Sequence, residues 1–309
     1  MESIENVHQK VRKVGMYMKE YVLSKEEFLY LGALAGAELL YGVENSLSGL
    51  SEAELKLRIA KLEENLLEKG YLKEDFDGNK EIQQEILVFM EICAHPTGVL
   101  IVEKETVEEG HTTTFYHFEE EMEQVVKVEC RKDNFHCIMI SQEETWGILQ
   151  CVVNWKRANG ENAQRDSQKE EFQLSQKELR KATQMVKAGG CTKAAEIFRD
   201  AGASDSMIEK ILQGLQHQAD YYSFLFLDEM DETQEAQSVS FLLGEDFIIG
   251  MQPQVVDDID YVEFYTTDSG ALEELLRDGY SNIGLGQYAW ADFVYDDAEL
   301  DAEYEEEED

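Results

Sequence analysis

The apolar positions of this 309-residue chain change period twice, in the same order each time. Over residues 24–41, Phe28, Leu31, Leu34, Ala35, Leu39 and Leu40 leave almost no polar side, which predicts a deeply buried helix. Ser51 opens a second helix with Leu55, Ile59, Leu62 and Leu66 on one stripe before Gly70, and a third is predicted over residues 80–94, ahead of His95 and Pro96. From Gly98 the period drops to two. Thr112, Thr114, Tyr116 and Phe118 share one side of a strand, and Val126, Val128 and Cys130 alternate with Lys127 and Glu129. Residues 135–140 form a further strand after a turn at 132–134, and Ser141 with Glu144 then opens a helix that carries Trp146, Leu149 and Val153 inward.

A polar stretch at about 156–170 interrupts the pattern, and the order then starts again. One helix opens at Ser175 with Leu179, Ala182, Met185 and Val186 on one face. A shorter one covers about 194–199, and another holds Met207, Ile208, Ile211 and Leu215. Strands are predicted at 223–227, 238–243, 247–251 and 260–265, after which Asp268 caps a helix bearing Leu272, Leu275 and Leu276. The two openings are chemically alike: Leu23-Ser24-x-x-Glu27 and Leu174-Ser175-x-x-Glu178 each allow the Ser hydroxyl and the Glu carboxylate to cap one another's backbone N–H. The reading is therefore an α+β chain with a pseudo-twofold internal repeat. Its parts are a leader with a first strand (1–23), two helix-strand-helix halves (24–156 and 172–280), a polar linker (157–171) and an acidic, largely disordered tail (281–309). Ser-x-x-Glu is also a common helix start, so recurrence of the box alone does not require duplication.

Charge narrows the partners. A net charge of −39 opposes sequence-independent affinity for nucleic-acid phosphates and for anionic lipid. No run reaches the roughly 18 apolar residues of a membrane span, and the N-terminus has no basic segment leading into an apolar one. Five cysteines with no Cys-x-x-Cys pair read as reduced core residues, so the expected location is cytoplasmic. The tail from Asp296 is mostly acidic, with mutual repulsion and few apolar residues to order it.

Catalytic chemistry finds little support. The six histidines contain no His-Glu-x-x-His and no pair at ligand spacing with a carboxylate, and His136 beside Cys137 points to the opposite strand face. The acidic groups at 228–231 and 257–260 lack the central Gly and closing Glu of an EF-hand loop. Neither a Gly-rich phosphate loop followed by a helix nor a nucleophile elbow is present. No catalytic residue, metal or cofactor is nominated, and a non-enzyme is expected. A winged helix is an alternative, with 55–67 as recognition helix and strands at 99–102 and 113–118 as the wing. Its acidic surface opposes DNA and turns that reading toward a DNA mimic or a regulatory protein-binding module.

The repeated starts at Ser24 and Ser175, with strand-to-helix exits near Ser141 and Asp268, resemble the EspG family of type VII secretion chaperones over roughly residues 20–278. That resemblance implies an antiparallel β-sheet flanked by two helical bundles. It also implies a small helical secretion substrate protein as partner, of the WXG or LXG hairpin type, kept soluble and export-competent. In such proteins substrate contacts fall on a long sheet loop and on the C-terminal helical half. By position the loop at 103–112 corresponds to the first, making Val107, Glu108, Glu109 and His111 the candidate contacts, although a solvated hairpin turn would carry the same residues.

Overall fold

The computed structural model describes residues 19–44, 46–106, 110–119, 124–132, 134–142, 144–145, 147, 149, 170–229, 236–244, 247–256, 259–281 and 283. β1 (Tyr21–Ser24) enters α1 (Lys25–Leu34), followed by α2 (Glu52–Glu68), a short hairpin of β2 (Leu72–Glu74) and β3 (Lys80–Ile82), and α3 (Gln84–Ala94). Four strands come next: β4 (Gly98–Thr106), β5 (Gly110–Phe118), β6 (Gln124–Arg131) and β7 (Asn134–Ser141). The same order then recurs. β8 (Glu171–Ser175) leads into α4 (Gln176–Lys187), α5 (Cys191–Asp200) and α6 (Asp205–Leu215). β9 (Asp220–Asp228), β10 (Ala236–Leu243), β11 (Ile248–Val256), β12 (Ile259–Thr267) and α7 (Ser269–Ser281) complete the set.

Ten strands make one antiparallel sheet in the order β1-β7-β6-β5-β4-β9-β10-β11-β12-β8. Outward from the β4–β9 seam, each side is a four-strand meander ending in the short strand that precedes the first helix of that side. This is the α+β architecture with a pseudo-twofold order that the pattern predicts. Strand alternation then divides the core. On one face, Phe115, Val128, Phe135 and Cys137 meet Phe28, Leu31 and Phe89 of α1 and α3, while Leu242, Ile249 and Phe264 meet Ala182, Phe198 and Ile211 of α4–α6. On the other face Leu100, Phe118, Phe224, Phe226 and Phe241 are covered by Leu272, Leu276 and Tyr280 of α7 and by Leu149. A sheet apolar on both faces needs helices on both, which explains why the seam strands read as nearly continuous apolar runs.

Local chemistry sets the helix starts. Ser24, Ser51 and Ser175 each accept a hydrogen bond from the backbone three residues on while the Glu at that position accepts from the Ser backbone. Ser141 and Glu144 do the same, and Asp268 Oδ1 accepts from the N–H groups of Gly270 and Ala271 at 2.9 Å.

Three expectations are corrected. The helix predicted over 24–41 stops at Leu34, because Gly36 adopts φ +89° and Ala37 N–H donates back to Gly32 O, a Schellman-type stop. Apolar residues continue past this stop, with Leu40 folding back against Gly32 and Leu39 left 60% exposed. The helix predicted over 80–94 begins only at Gln84. Lys80–Ile82 pairs with Leu72–Glu74 across a turn in which Asp75 Oδ1 accepts from the N–H groups of Asp77 and Asn79. A small hairpin thus separates α2 from α3. The strands proposed as a wing, around 99–102 and 113–118, lie instead at the centre of the large sheet.

Candidate functional site

The β4–β5 hairpin stands at the seam between the two halves. Its strands pair residue by residue from Gly98–Phe118 to Thr106–Gly110, so only three residues close it. Those three, Val107, Glu108 and Glu109, lie outside the described residues, whereas His111 is exposed on β5 opposite Glu105. The stretch 103–112 expected as a loop is therefore mostly paired strand. β4 stays paired with β9 as far as Glu105–Tyr221, one residue short of its end, whereas β5 pairs with β6 only from Thr114, so the tip is open on the β6 side. Solvated strand ends carry polar residues at both faces, and that composition is what made the segment read as a loop.

One contact at this tip left no trace in the sequence. His217, just past the end of α6 with a left-handed backbone (φ +56°), places Nδ1 3.0 Å from Glu105 Oε1 and ties the hairpin to the second helical cluster. His111 Nε2 lies 3.4 Å from Thr113 Oγ1 on the same strand face. Below the tip, on the face that carries α1–α6, Glu103, Ser223 and Ser240 line up across β4, β9 and β10, with Ile101, Leu225 and Ser238 in the next row. All but exposed Glu103 are half-buried, and the Ser240 hydroxyl donates to Ser223 Oγ at 2.9 Å. Helices α1–α3 pack on strands to one side of these rows and α4–α6 on strands to the other, leaving a floor of mixed polarity between them.

The segment after α1 closes one end of that floor. The Tyr41 hydroxyl donates to the Glu229 carboxylate, and its ring lies 6.2 Å from the ring of His117. Burial first, and Glu229 second, push the Tyr41 phenol up, so it stays a donor. His117 is fully buried with neither ring nitrogen in a hydrogen bond of normal geometry, and desolvation lowers it to about 4, partly offset by the nearby Val126 backbone. It is a neutral core residue at physiological pH.

Cys93 and Cys137 are buried in the first core cluster and burial pushes both thiols up, so they are poor nucleophiles. Cys130 packs against the same cluster while His136 turns to the other face and bonds Glu20 at 2.7 Å, as strand alternation requires. Among the described residues no group of three or more His, Cys, Asp or Glu could hold a metal ion, and no helix is long and apolar enough to cross a membrane.

With this geometry in view, the comparisons with known proteins concern the fold. No protein-family model matches the chain, and no curated protein matches it. Among solved structures, that of the Mycobacterium tuberculosis type VII secretion system chaperone EspG5 in complex with the PE25–PPE41 dimer contains a similar chain, with a TM-score of 0.53 at 10% sequence identity. The match covers 87% of this chain and 99% of that one. Its extent takes in both halves, so the likeness is to a whole architecture. At 10% identity it is a likeness of fold.

Proposed function

We propose that this chain is a cytoplasmic chaperone or adaptor that holds a small helical protein bound for a type VII secretion system, with hairpins of the WXG or LXG type, soluble and export-competent. The observation that carries the reading is the fold likeness to EspG5 along nearly the whole of that chaperone, around a ten-stranded sheet with a helical cluster toward each end. The physics supports it. Capping the apolar tip of a helical hairpin calls for a rigid frame, a floor of mixed polarity and a projecting element to grip the side, and needs no catalytic group. In this reading the halves 24–156 and 172–280 are the frame, joined by the linker 157–171. Val107, Glu108, Glu109 and His111 at the β4–β5 tip are partner contacts, and the His217–Glu105 pair holds the tip in place.

Affinity purification of the tagged full chain from its native cells, followed by mass spectrometry and light scattering, tests the proposal. A one-to-one complex with a small helical protein is expected. Replacing residues 107–109 by Gly-Ser-Gly together with His111→Ala is expected to dissolve it. Recovery of the chain without a helical partner would overturn the chaperone reading, and a complex indifferent to the substitutions would remove the hairpin tip as its site.

A further inference from the structure

A second surface on this molecule runs against its overall charge. Helix α4 carries Lys177, Arg180, Lys181 and Lys187 against a single acid, Glu178, whose carboxylate is engaged in capping Ser175. Helix α1, which holds the same place in the other half, carries one lysine and two glutamates. The halves therefore differ most in charge where their order is most alike. No acidic side chain among the described residues lies within ion-pair distance of Lys177, Arg180 or Lys181, whereas Lys56, Arg58, Lys69, Lys73, Lys80 and Arg199 all have such partners.

The neighbouring hairpin supplies an apolar counterpart. β11 pairs with β10 only up to Met251, and Pro253, which has no N–H to give, stands just beyond that point. β11 and β12 continue as a pair to Val256–Ile259, beyond the pairing with β10, and Ile259 and Asp260 border α4. Between the two lies an open depression of about 510 Å³, lined by Lys177, Arg180, Lys181, Gln184, Ile259 and Asp260. Val255, Val256 and Ile259 at the hairpin end are 72%, 44% and 49% exposed. Asp260 is the one carboxylate among the described residues of the lining, and Asp257 and Asp258 join the two strands at the same hairpin end.

We infer that this depression is a docking site for the chain's own acidic C-terminal tail. The chemistry of that segment matches: ten of its last fourteen residues are acidic, and Tyr288, Trp290, Phe293 and Tyr295 precede them, aromatic groups for the apolar rim and carboxylates for the cations. It also reaches. Ile283 packs against Gly98 at the start of β4, on the α7 face and at the same end of the sheet as the Val256–Ile259 hairpin end, four strand spacings or about 19 Å from β12, so the segment has to pass round that end to reach α4 on the other face. The 26 residues beyond Ile283 span roughly 85 Å when extended and about 28 Å as a flexible coil. Tethering at that length gives an effective concentration on the order of millimolar, above that of a free acidic competitor at ordinary cellular levels. The long-range repulsion of an acidic body is screened beyond about 8 Å, so only charges beside the depression count, and the tail's carboxylates settle on Lys177, Arg180 and Lys181 of the α4 wall rather than on the hairpin wall that holds Asp260.

Carbodiimide coupling of the full-length protein, which joins a carboxylate to a lysine amine only when they touch, reads this contact directly by peptide mass spectrometry. At 50 mM salt, tail residues 296–309 are expected to couple to Lys177 and Lys181 about fivefold more than to the average exposed lysine, and the preference should vanish by 0.5 M salt. As a second readout, a Glu-specific protease should cut the tail of the Lys177→Gln/Arg180→Gln/Lys181→Gln variant several-fold faster than that of the wild type, with thermal unfolding unchanged because these side chains are on the surface. Coupling spread evenly over exposed lysines, equal tail cleavage in the two proteins, or cross-links found only between molecules at doubled mass would each overturn the intramolecular site. None of these results bears on whether the β4–β5 hairpin binds a helical substrate.

Discussion

Replacing His117 by leucine should flatten the acid side of the stability curve. The imidazole is completely enclosed by strands β4–β6 and the Tyr41 segment, and neither nitrogen makes a hydrogen bond of normal geometry, so the charged form is strongly disfavoured in the folded state. Its ordinary value is 6.5 and its folded value about 4. A base whose folded value is depressed contributes stability that is complete above 6.5 and is lost as the pH falls toward 4, because the unfolded chain takes up the proton first. At 1.36 kcal/mol per pH unit, that gap amounts to about 3 kcal/mol in all, and to roughly 2 kcal/mol of loss on going from pH 7.5 to pH 5. Urea unfolding followed by circular dichroism at pH 7.5, 6.5, 5.5 and 5 measures it. Carboxylates contribute equally to both proteins, so the difference between wild type and His117→Leu isolates the imidazole. At neutral pH the variant should be no less stable, because an unpaired buried polar group gives way to an apolar one of similar volume. Parallel curves for the two proteins between pH 7.5 and 5 would refute the argument, since they would mean that His117 finds a partner or water when it is charged.

Three further outcomes follow from the packing. Glu27 is 3% exposed and accepts from Ser24 N–H and Lys69 Nζ, each at 2.7 Å, so Lys69→Met should cost about 2 kcal/mol in urea unfolding, less than for a fully enclosed pair because Lys69 is partly solvated; adding Glu27→Gln should restore most of it. Ser175→Ala removes the cap of α4 and should lower stability by about 1 kcal/mol, while Ser175→Gly should cost only a few tenths by the same assay. A Cβ on Gly279 would come within 2.5 Å of the Phe226 ring where α7 crosses β9, so Gly279→Ala should cost about 1–3 kcal/mol, and Phe226→Leu in the same chain should relieve part of that in thermal unfolding.

Much of the fold was legible for reasons that can be named. The Ser-x-x-Glu boxes act over three residues, and all four of them, at Ser24, Ser51, Ser141 and Ser175, form as written. The period-two runs after Gly98 and after Asp220 became strands because alternation is a property of one strand against one core. Local apolarity misled in two places. Leu39 and Leu40 extend the apolar run although Gly36 ends the helix, and the Asp-rich turn at 75–79 with its hairpin occupies the start of the stretch that apolarity alone assigns to a longer α3. At the candidate site, sequence position places His111 beside a hairpin turn and says nothing of its surroundings. The Glu105–His217 contact joins residues 112 positions apart, and no pattern within either segment signals it.

The chain by itself determined its element types, the repeated order of its two halves and the sign of its surface, because caps, periodicity and charge are set by neighbours within a turn or two. Tertiary structure alone decided that β4 meets β9 at the centre, which places the hairpin 103–112 between two helical clusters and leaves a floor of mixed polarity beside it. It also decided that α4, the most basic helix among the described residues, borders the end of the β11–β12 hairpin. Strand pairing across the seam joins residues more than a hundred positions apart, and its energy comes from backbone hydrogen bonds and shared burial, which nearly any apolar strand can supply. A sequence therefore announces that it has strands long before it says which of them will be neighbours.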